Sequence, residues 1–249
     1  MKEKEFDYCA YYDSISPRYN SIRLDSKNDF DSTISFILDH TSTNSPRLLD
    51  IGCGTGKYGE RLMQHGYVVE GIDKSLAQIE QAKTVISAQV GNVCALPFAS
   101  ESYDICTMIM MIHHLSRSDR IQAFREVHRV LKKGGCLIIK TASHEDLAYR
   151  LSSRFFPEAY EIDLRRYPPI ETLLDDMACF SKVHSQAVVS KTSFDPKSMA
   201  LKLAQRRTSN LGMLSEEALQ KGIERFNNMY CNQMLVEKEN HCTFIVAVK

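Results

Sequence analysis

The stretch LLDIGCGTGKYGERL, residues 48–62, sets three glycines within five positions between an apolar run and a helical pattern. Glycine lacks a Cβ, so it permits positive φ and lets a ligand approach the backbone closely. At a strand-to-helix turn it also exposes amide N–H groups at the positive end of a helix dipole. Asp50, Gly52, Gly54 and Gly56 form an acid-x-Gly-x-Gly-x-Gly pattern. This spacing is not the dinucleotide GxGxxG, because the third glycine follows the second by two residues. It is not a Walker loop either: Lys57 follows Gly56, but the upstream glycine spacing is wrong.

Working outward, short apolar runs alternate with helical patterns from residue 47 to about 141. RLLDIG reads as a buried strand and KYGERLMQHG as a helix ended by Gly66. YVVEGID is a second strand, after which Ser75 and Gln78 have the spacing of a capping box. AQVGNV, YDICTMIMMI and CLIIKTA read as the third, fourth and fifth strands. Ile121, Phe124, Val127 and Val130 mark the helix between the last two, which Gly134-Gly135 should stop. Strands that are apolar throughout and separated by helices imply a parallel sheet covered on both faces. KVHSQAVVS and HCTFIVAVK then read as a sixth and a closing strand, with two helices across 196–232. The expected fold is α/β, a doubly wound, mostly parallel, seven-stranded sheet with a helical cap. Such sheets bind ligands beyond the carboxyl ends of their strands, where the glycines lie.

Composition sets bounds on function. Lys plus Arg and Asp plus Glu are equal at 31 each, so the chain lacks the basic excess of a nucleic-acid binder. Eight cysteines are scattered without a CxxC pair, which suits reduced thiols in a cytoplasm. The N-terminus has no signal-like apolar region, and the run around ICTMIMMI is too short to cross a bilayer. The expectation is a soluble cytoplasmic protein, with no membrane partner and as a monomer or homodimer.

Five segments carry a family resemblance. LLDIGCGTG resembles motif I of the class I S-adenosylmethionine-dependent methyltransferases, in their small-molecule branch of the ubiquinone and menaquinone type. VVEGIDKS, GNVCALPF, SYDICTMIMMIHHL and VLKKGGCLIIKT match the later motifs in order. The resemblance implies S-adenosyl-L-methionine as cofactor, S-adenosyl-L-homocysteine as its product, and no metal. It places Gly52 and Gly54 beside the methionine part, with Asp50 holding the loop. Asp73 takes the ribose hydroxyls, with Lys74 beside it. Asn92 stands where the family most often has an aspartate for the adenine amino group. Its carboxamide oxygen can still accept that bond. Val93 offers a backbone N–H, Ile72 or Leu76 packs on the adenine face, and Met110 lies near the reacting methyl group. YYDSISPRYNSIR resembles the family's lid helix, with Tyr19 over the methionine end and Arg23 on the carboxylate. One domain over 1–249 is expected: a lid segment at 1–40, a cofactor-binding core at 41–146, and a cap with the last two strands at 147–249, including a helical lid at about 196–232.

Acceptor-side residues are less constrained. His113 and His114 follow the fourth strand, where one can act as general base or the pair can pack and cap the next loop. Adjacent histidines point in different directions and have no third ligand at metal spacing. HED at 144–146 lacks the second histidine of HExxH and reads as a loop, with His144 as a possible substrate contact. RLSSRFFPEAYEIDLRRYPP reads either as an RNA-facing surface or as a cap. In the cap reading its aromatic residues bury the substrate entrance while the arginines snorkel outward. Tyr12, Tyr160 and Tyr167 join His144 as substrate-contact candidates. The main expectation is methyl transfer to a small organic acceptor, nucleic acid being disfavoured. The alternatives are an RNA-modifying methyltransferase and a catalytically inactive S-adenosylmethionine-binding partner subunit. A Rossmann oxidoreductase would need the absent GxGxxG.

Overall fold

The structure, a computed structural model, describes residues 7–16, 27–41, 44–206 and 208–249. The sheet comprises β1 (Arg47–Ile51), β2 (Val68–Asp73), β3 (Ser87–Val90), β4 (Tyr103–Ile109), β5 (Leu131–Thr141), β6 (Lys182–Phe194) and β7 (Val236–Val248). Their spatial order is β3-β2-β1-β4-β5-β7-β6. β1 pairs in parallel with both β2 and β4, whereas β7 runs antiparallel between β5 and β6. The seven-stranded, mostly parallel sheet expected from the alternating pattern is present. Strand order reverses at the β1–β4 boundary, which creates a crevice at the carboxyl ends of those two strands.

Side-chain alternation explains why these strands read as continuous apolar runs. Leu49 and Ile51 of β1 enter one buried cluster with Cys106, Met108, Leu137 and Ile139. The intervening Leu48 enters the other, with Ile105 and Ile138. Successive residues point to opposite faces, and both faces are covered. α5 (Arg117–Val130) seals the first face through Phe124 and Val127. α2 (Lys27–Asp39), α3 (Lys57–Met63) and α4 (Leu76–Ala82) seal the second through Ile37, Leu62 and Ile79. Full burial of each such side chain contributes about 1.5–3 kcal/mol. The segment read as a polar lid therefore divides. α1 (Tyr8–Ile15) stands over the strand ends, while α2 buries Ile34 and Ile37 in the core.

The cap consists of α6 (His144–Ala148), α7 (Leu151–Phe155), α8 (Pro157–Arg166), α10 (Pro196–Ala204), α11 (Ser209–Gly212) and α12 (Glu216–Tyr230), with α9 (Ile170–Asp176) packed beneath the sheet. It has its own cluster around Phe156, Leu203, Leu211 and Phe226. Two expectations change here. HED at 144–146 is helical rather than a loop, because Ser143 and Asp146 complete a reciprocal capping box. The span 196–232 holds three helices rather than two, since Thr208 starts a short extra turn. No described helix is long and apolar enough to cross a membrane.

Gly222 is the tightest point in the cap: a Cβ there would sit 2.1 Å from the Phe156 ring. Gly222→Ala is expected to lower stability by about 1–3 kcal/mol through overpacking. Urea unfolding checks this, and an unchanged midpoint would mean that the cap core repacks freely.

Candidate functional site

Asp50 and Asp73 end neighbouring strands and anchor the loop between them. All three loop glycines occupy the left-handed region, with φ of 72° at Gly52, 55° at Gly54 and 81° at Gly56. Gly52 N–H donates to Ile72 O at 2.7 Å and Gly54 N–H to the Asp73 carboxylate at 2.9 Å. A Cβ on Gly52 would lie 3.0 Å from Met111, so sterics and backbone geometry both select glycine. Asp50 is buried and accepts from Thr107 Oγ1 at 2.8 Å, which ties the loop's first residue to β4.

A cavity of about 500 Å³ opens over this loop and is lined by Gly52, Gly54, Asp73, Lys74, Val93 and Met110 among others. Ligand pockets commonly fall in this size range. Ser75 N–H also donates to Asp73, at 2.9 Å. Burial nevertheless pushes the Asp73 carboxyl above the ordinary carboxylate range, against the pull of these amide donors. The capping box at Ser75 is half formed. Ser75 Oγ accepts Gln78 N–H at 3.1 Å, but the Gln78 side chain turns to the Tyr12 carbonyl. Ile72 lines the cavity, whereas Leu76 is 59% exposed and lies off the lining.

Asn92 is the clearest departure on this side. It is exposed, its Oδ1 accepts Cys94 N–H at 3.0 Å, and it stands outside the cavity lining. An asparagine caps its own turn in this way, and that local bond holds the side chain away from the pocket. Tyr19 and Arg23 lie outside the described residues.

Met110 directly follows β4 with φ of 55°, a conformation that a side-chain-bearing residue adopts at an energetic cost and that clusters at functional sites. It lines both the large cavity and a second one of about 240 Å³. Tyr12 and Tyr58 are shared in the same way, so the two cavities adjoin at these three residues. Tyr167 and His113 also line the second cavity. His144 and Tyr160 do not. The His144 Nε2 atom lies 2.8 Å from the Tyr167 carbonyl, and Tyr160 packs against Leu147 and Tyr167 beneath the lining.

The two histidines separate. His114 lines the large cavity, with Nδ1 facing the Arg166 guanidinium at 3.4 Å and Nε2 facing Tyr12 Oη at 3.2 Å. Guanidinium only donates, so Nδ1 is the acceptor and Nε2–H donates to the tyrosine. Burial, and then Arg166, push the His114 pKa down to about 3. Burial also holds His113 well below its ordinary value, with its ring stacked on Tyr167 at 4.1 Å. Both rings are therefore neutral imidazoles at physiological pH.

Sequence reasoning missed several lining residues. Lys140 is 2% exposed within β5, and its Nζ lies 2.8 Å from both carboxylate oxygens of Asp29. A lysine inside the apolar run CLIIKTA was the available signal. Arg150 and Arg166 do not snorkel outward as expected: they turn inward onto Asp163, at 3.2 and 3.6 Å. Asp163 is buried and also accepts from Asn210 Nδ2 at 2.8 Å. Only the fold reveals that pairing.

A doubly wound sheet with an acid-and-glycine loop over its switch point is the architecture of the Rossmann-like S-adenosylmethionine-dependent methyltransferases. Residues 49–139 match the family described as methyltransferase domain. It is 29% identical over 136 residues to malonyl-[acyl-carrier protein] O-methyltransferase of Erwinia billingiae, covering 53% of each chain. It is 28% identical over 127 residues to ubiquinone biosynthesis O-methyltransferase of Pseudomonas entomophila, covering 48% of this chain and 54% of that one. The chain thus spans about half the length of the curated relatives it matches. The crystal structure of Haemonchus contortus phosphoethanolamine N-methyltransferase 2 with S-adenosyl-L-methionine superposes with TM-score 0.62 at 18% identity, over 100% of this chain and 61% of that one. The [4+2]-cyclase SpnF superposes with TM-score 0.60 at 18% identity, over 97% and 95%. One fold thus carries different chemistries, and function must be argued from the site.

The neutral histidines carry a pH signature. An unfolded histidine titrates near 6.5. Below that pH the unfolded chain binds protons that buried His114 refuses until about pH 3. Stability is therefore fully present above pH 6.5 and falls as pH drops through that window, by up to about 1.4 kcal/mol per pH unit for one group. Urea unfolding at pH 7.5, 6 and 5 should show a shallower decline for His114→Asn than for the native chain. Equal slopes would mean that the ring accepts a proton in the folded state.

Proposed function

We propose that the protein transfers the methyl group of S-adenosyl-L-methionine to a small organic acceptor by in-line displacement. In this reading the cofactor occupies the larger cavity and the acceptor the smaller. The observation that carries it is their shared wall: Met110, Tyr12 and Tyr58 line both, so donor and acceptor would meet there. The residues present fit the cofactor. Gly52 forms a cradle that a Cβ would fill, and the buried Oε1 of Gln78 on the lining has no hydrogen-bond partner among the described residues. Such an orphaned acceptor is what a polar ligand would satisfy.

When bound, S-adenosyl-L-methionine supplies a methyl group already activated on a sulfonium. Asp73 would accept the ribose hydroxyls, with Lys74 beside it. Gly52 and Gly54 would let the backbone pass close to the methionine part. Val93 would offer its backbone N–H and Ile72 an apolar face to the adenine. Tyr19 is proposed to cover the methionine end and Arg23 to pair with its carboxylate. The remaining work of the chain is to align the acceptor and exclude water. A general base works best with a pKa near the operating pH, and His113 and His114 lie well below it. We assign them to positioning: His114 braces Tyr12, and His113 stacks on Tyr167 at the acceptor wall.

The relatives named O-methyltransferases support oxygen as the acceptor atom. RNA is the weaker acceptor, because Arg150 and Arg166 are spent on Asp163 and do not build a basic face. An inactive binding subunit would keep the larger cavity but lack turnover. The proposed setting is the cytoplasm, as a monomer or homodimer, without a metal ion.

Calorimetric titration with S-adenosyl-L-homocysteine tests the reading, with NAD as control. We expect micromolar binding of the first alone. Asp73→Ala should weaken it by about 1–3 kcal/mol, since donors of the ligand and the Gly54 amide lose their acceptor together. No binding by the native chain would sink the proposal.

A further inference from the structure

Gln78 is a polar side chain in an apolar place. It is the third residue of α4 and only 2% exposed, on a helix that also buries Ile79 and Ala82. Three positions after a serine cap, a glutamine ordinarily completes a capping box, its side chain accepting the cap residue's own N–H. Here that N–H is already taken, because Ser75 donates it to the Asp73 carboxylate at 2.9 Å. The local reason for a glutamine is thus removed.

The amide of Gln78 is oriented by α1. Nε2 donates to the Tyr12 carbonyl at 3.4 Å, and the opposite orientation would set two carbonyl oxygens against each other. Oε1 is buried and has no hydrogen-bond partner among the described residues. A buried oxygen left unpaired is destabilising, and a methionine of similar length would fill the same space without it. A ligand that donates to Oε1 removes the penalty. Gln78 lines the larger cavity, so the donor can come from what binds there.

Ser75 places Gln78 at the nucleoside end of that ligand. It gives its N–H to Asp73, the acid assigned above to the ribose, and its Oγ accepts the Gln78 N–H at 3.1 Å. A carboxylate offers about four acceptor sites. The Gly54 and Ser75 amides occupy two of those on Asp73, which leaves room for the ribose hydroxyls but not for the adenine amino group as well. Asn92, the expected partner of that amino group, is engaged with Cys94 N–H outside the lining. The nucleoside therefore brings more donors than Asp73 can accept.

α4 also carries the roof. Ser75 Oγ donates to the Asp13 carboxylate, Ser16 Oγ to the Ala77 carbonyl at 2.9 Å, and Gln81 Nε2 to Ser16 Oγ at 2.8 Å. The Gln78 bond to α1 differs from these in leaving an open acceptor on the same amide.

We propose that Gln78 joins the cofactor to the roof of its cavity. Its Oε1 accepts a hydrogen from the nucleoside half of S-adenosyl-L-methionine, a ribose hydroxyl or the adenine amino group, while its Nε2 holds α1 by the Tyr12 carbonyl. The inference rests on the methyltransferase reading. Ligand and roof are then held by opposite ends of one planar amide, so a nucleoside bonded to Oε1 also fixes the Tyr12 bond. Tyr12 lines both cavities, and the same contact thereby sets part of the wall between them.

The test is calorimetric titration of the full chain with S-adenosyl-L-homocysteine and with analogues that each lack one donor. S-inosyl-L-homocysteine lacks the adenine amino group, and the 2′-deoxy and 3′-deoxy forms each lack a ribose hydroxyl. In the native chain, the analogue without the donor that Gln78 accepts should bind about tenfold more weakly than S-adenosyl-L-homocysteine, as for a lost buried hydrogen bond. In Gln78→Met that penalty should shrink by about fivefold or more, the partner being already gone. The inosyl form assigns the contact to adenine and a deoxy form to ribose. Chymotrypsin, which cuts after tyrosine, reads the roof. S-adenosyl-L-homocysteine should slow cleavage at Tyr11 and Tyr12 by about fivefold more in the native chain than in Gln78→Met, since local opening governs such cleavage. Gln78→Asn keeps the amide but withdraws it by one methylene. It should behave as the methionine variant does, and it serves if that variant does not fold. The proposal is overturned if all three analogues carry the same penalties in the native chain and the variant, or if the ligand protects α1 equally in both. Failure of S-adenosyl-L-homocysteine to bind the native chain removes the methyltransferase reading instead, and is seen before any analogue is added.

Discussion

The hydrogen bond from Gly54 N–H to the Asp73 carboxylate is the constraint on which the site depends. It joins the turn after β1 to the end of β2, and it forms only because the turn runs through left-handed backbone at three successive glycines. That turn aims the loop at the crevice where strand order reverses. Asp50, held by Thr107, pins the same turn to β4. A rigid sheet thus sets the floor of the larger cavity, and no flexible loop has to find its place for the floor to exist.

The roof is built differently. α1 contributes Tyr8 and Tyr12 to the larger cavity, and it is held there by side chains from elsewhere in the chain. Arg166 is central to this arrangement: it lies over the Tyr8 ring at 4.9 Å, against His114 Nδ1 at 3.4 Å, and it bonds Ser209 Oγ at 3.1 Å. Asp163 balances it from the same helix. This polar cluster sits where cap, strand end and α1 converge, and its low-dielectric setting makes each satisfied bond strong and each missing one expensive. The neutrality of His114 follows from the same crowding, because burial and a neighbouring guanidinium both disfavour a second positive charge. The residues that suggested acid–base chemistry by type are thus turned to bracing by their surroundings.

The glycine loop and the acids at its edges were legible in the sequence, and particular residues show why. Gly52, Gly54 and Asp73 act through backbone geometry at strand ends, and strand ends are visible as breaks in an apolar pattern. Asn92 shows the limit of a motif position, which says nothing of a local turn: here its side-chain oxygen accepts the Cys94 N–H. Around the smaller cavity the misses have one cause. Asp29, Lys140, Arg150 and Asp163 pair across long separations in the chain or turn inward against their usual habit. The inward turn of Arg150 and Arg166 follows from the buried carboxylate of Asp163, which lies one helical turn from Arg166 and 13 residues from Arg150, and from a buried asparagine at position 210.

By itself, the sequence determined the doubly wound sheet, the glycine turn and the acid that answers it, since period, composition and turn chemistry are local properties that a chain carries wherever it folds. Tertiary structure alone decided the rest: that α2 belongs to the core while α1 roofs the site, that Met110 takes a left-handed backbone where two cavities meet, and that Lys140 finds Asp29. These are matters of which side chains are brought together and how far water is excluded. Both depend on packing among residues more than a hundred positions apart, as Asp29 and Lys140 are.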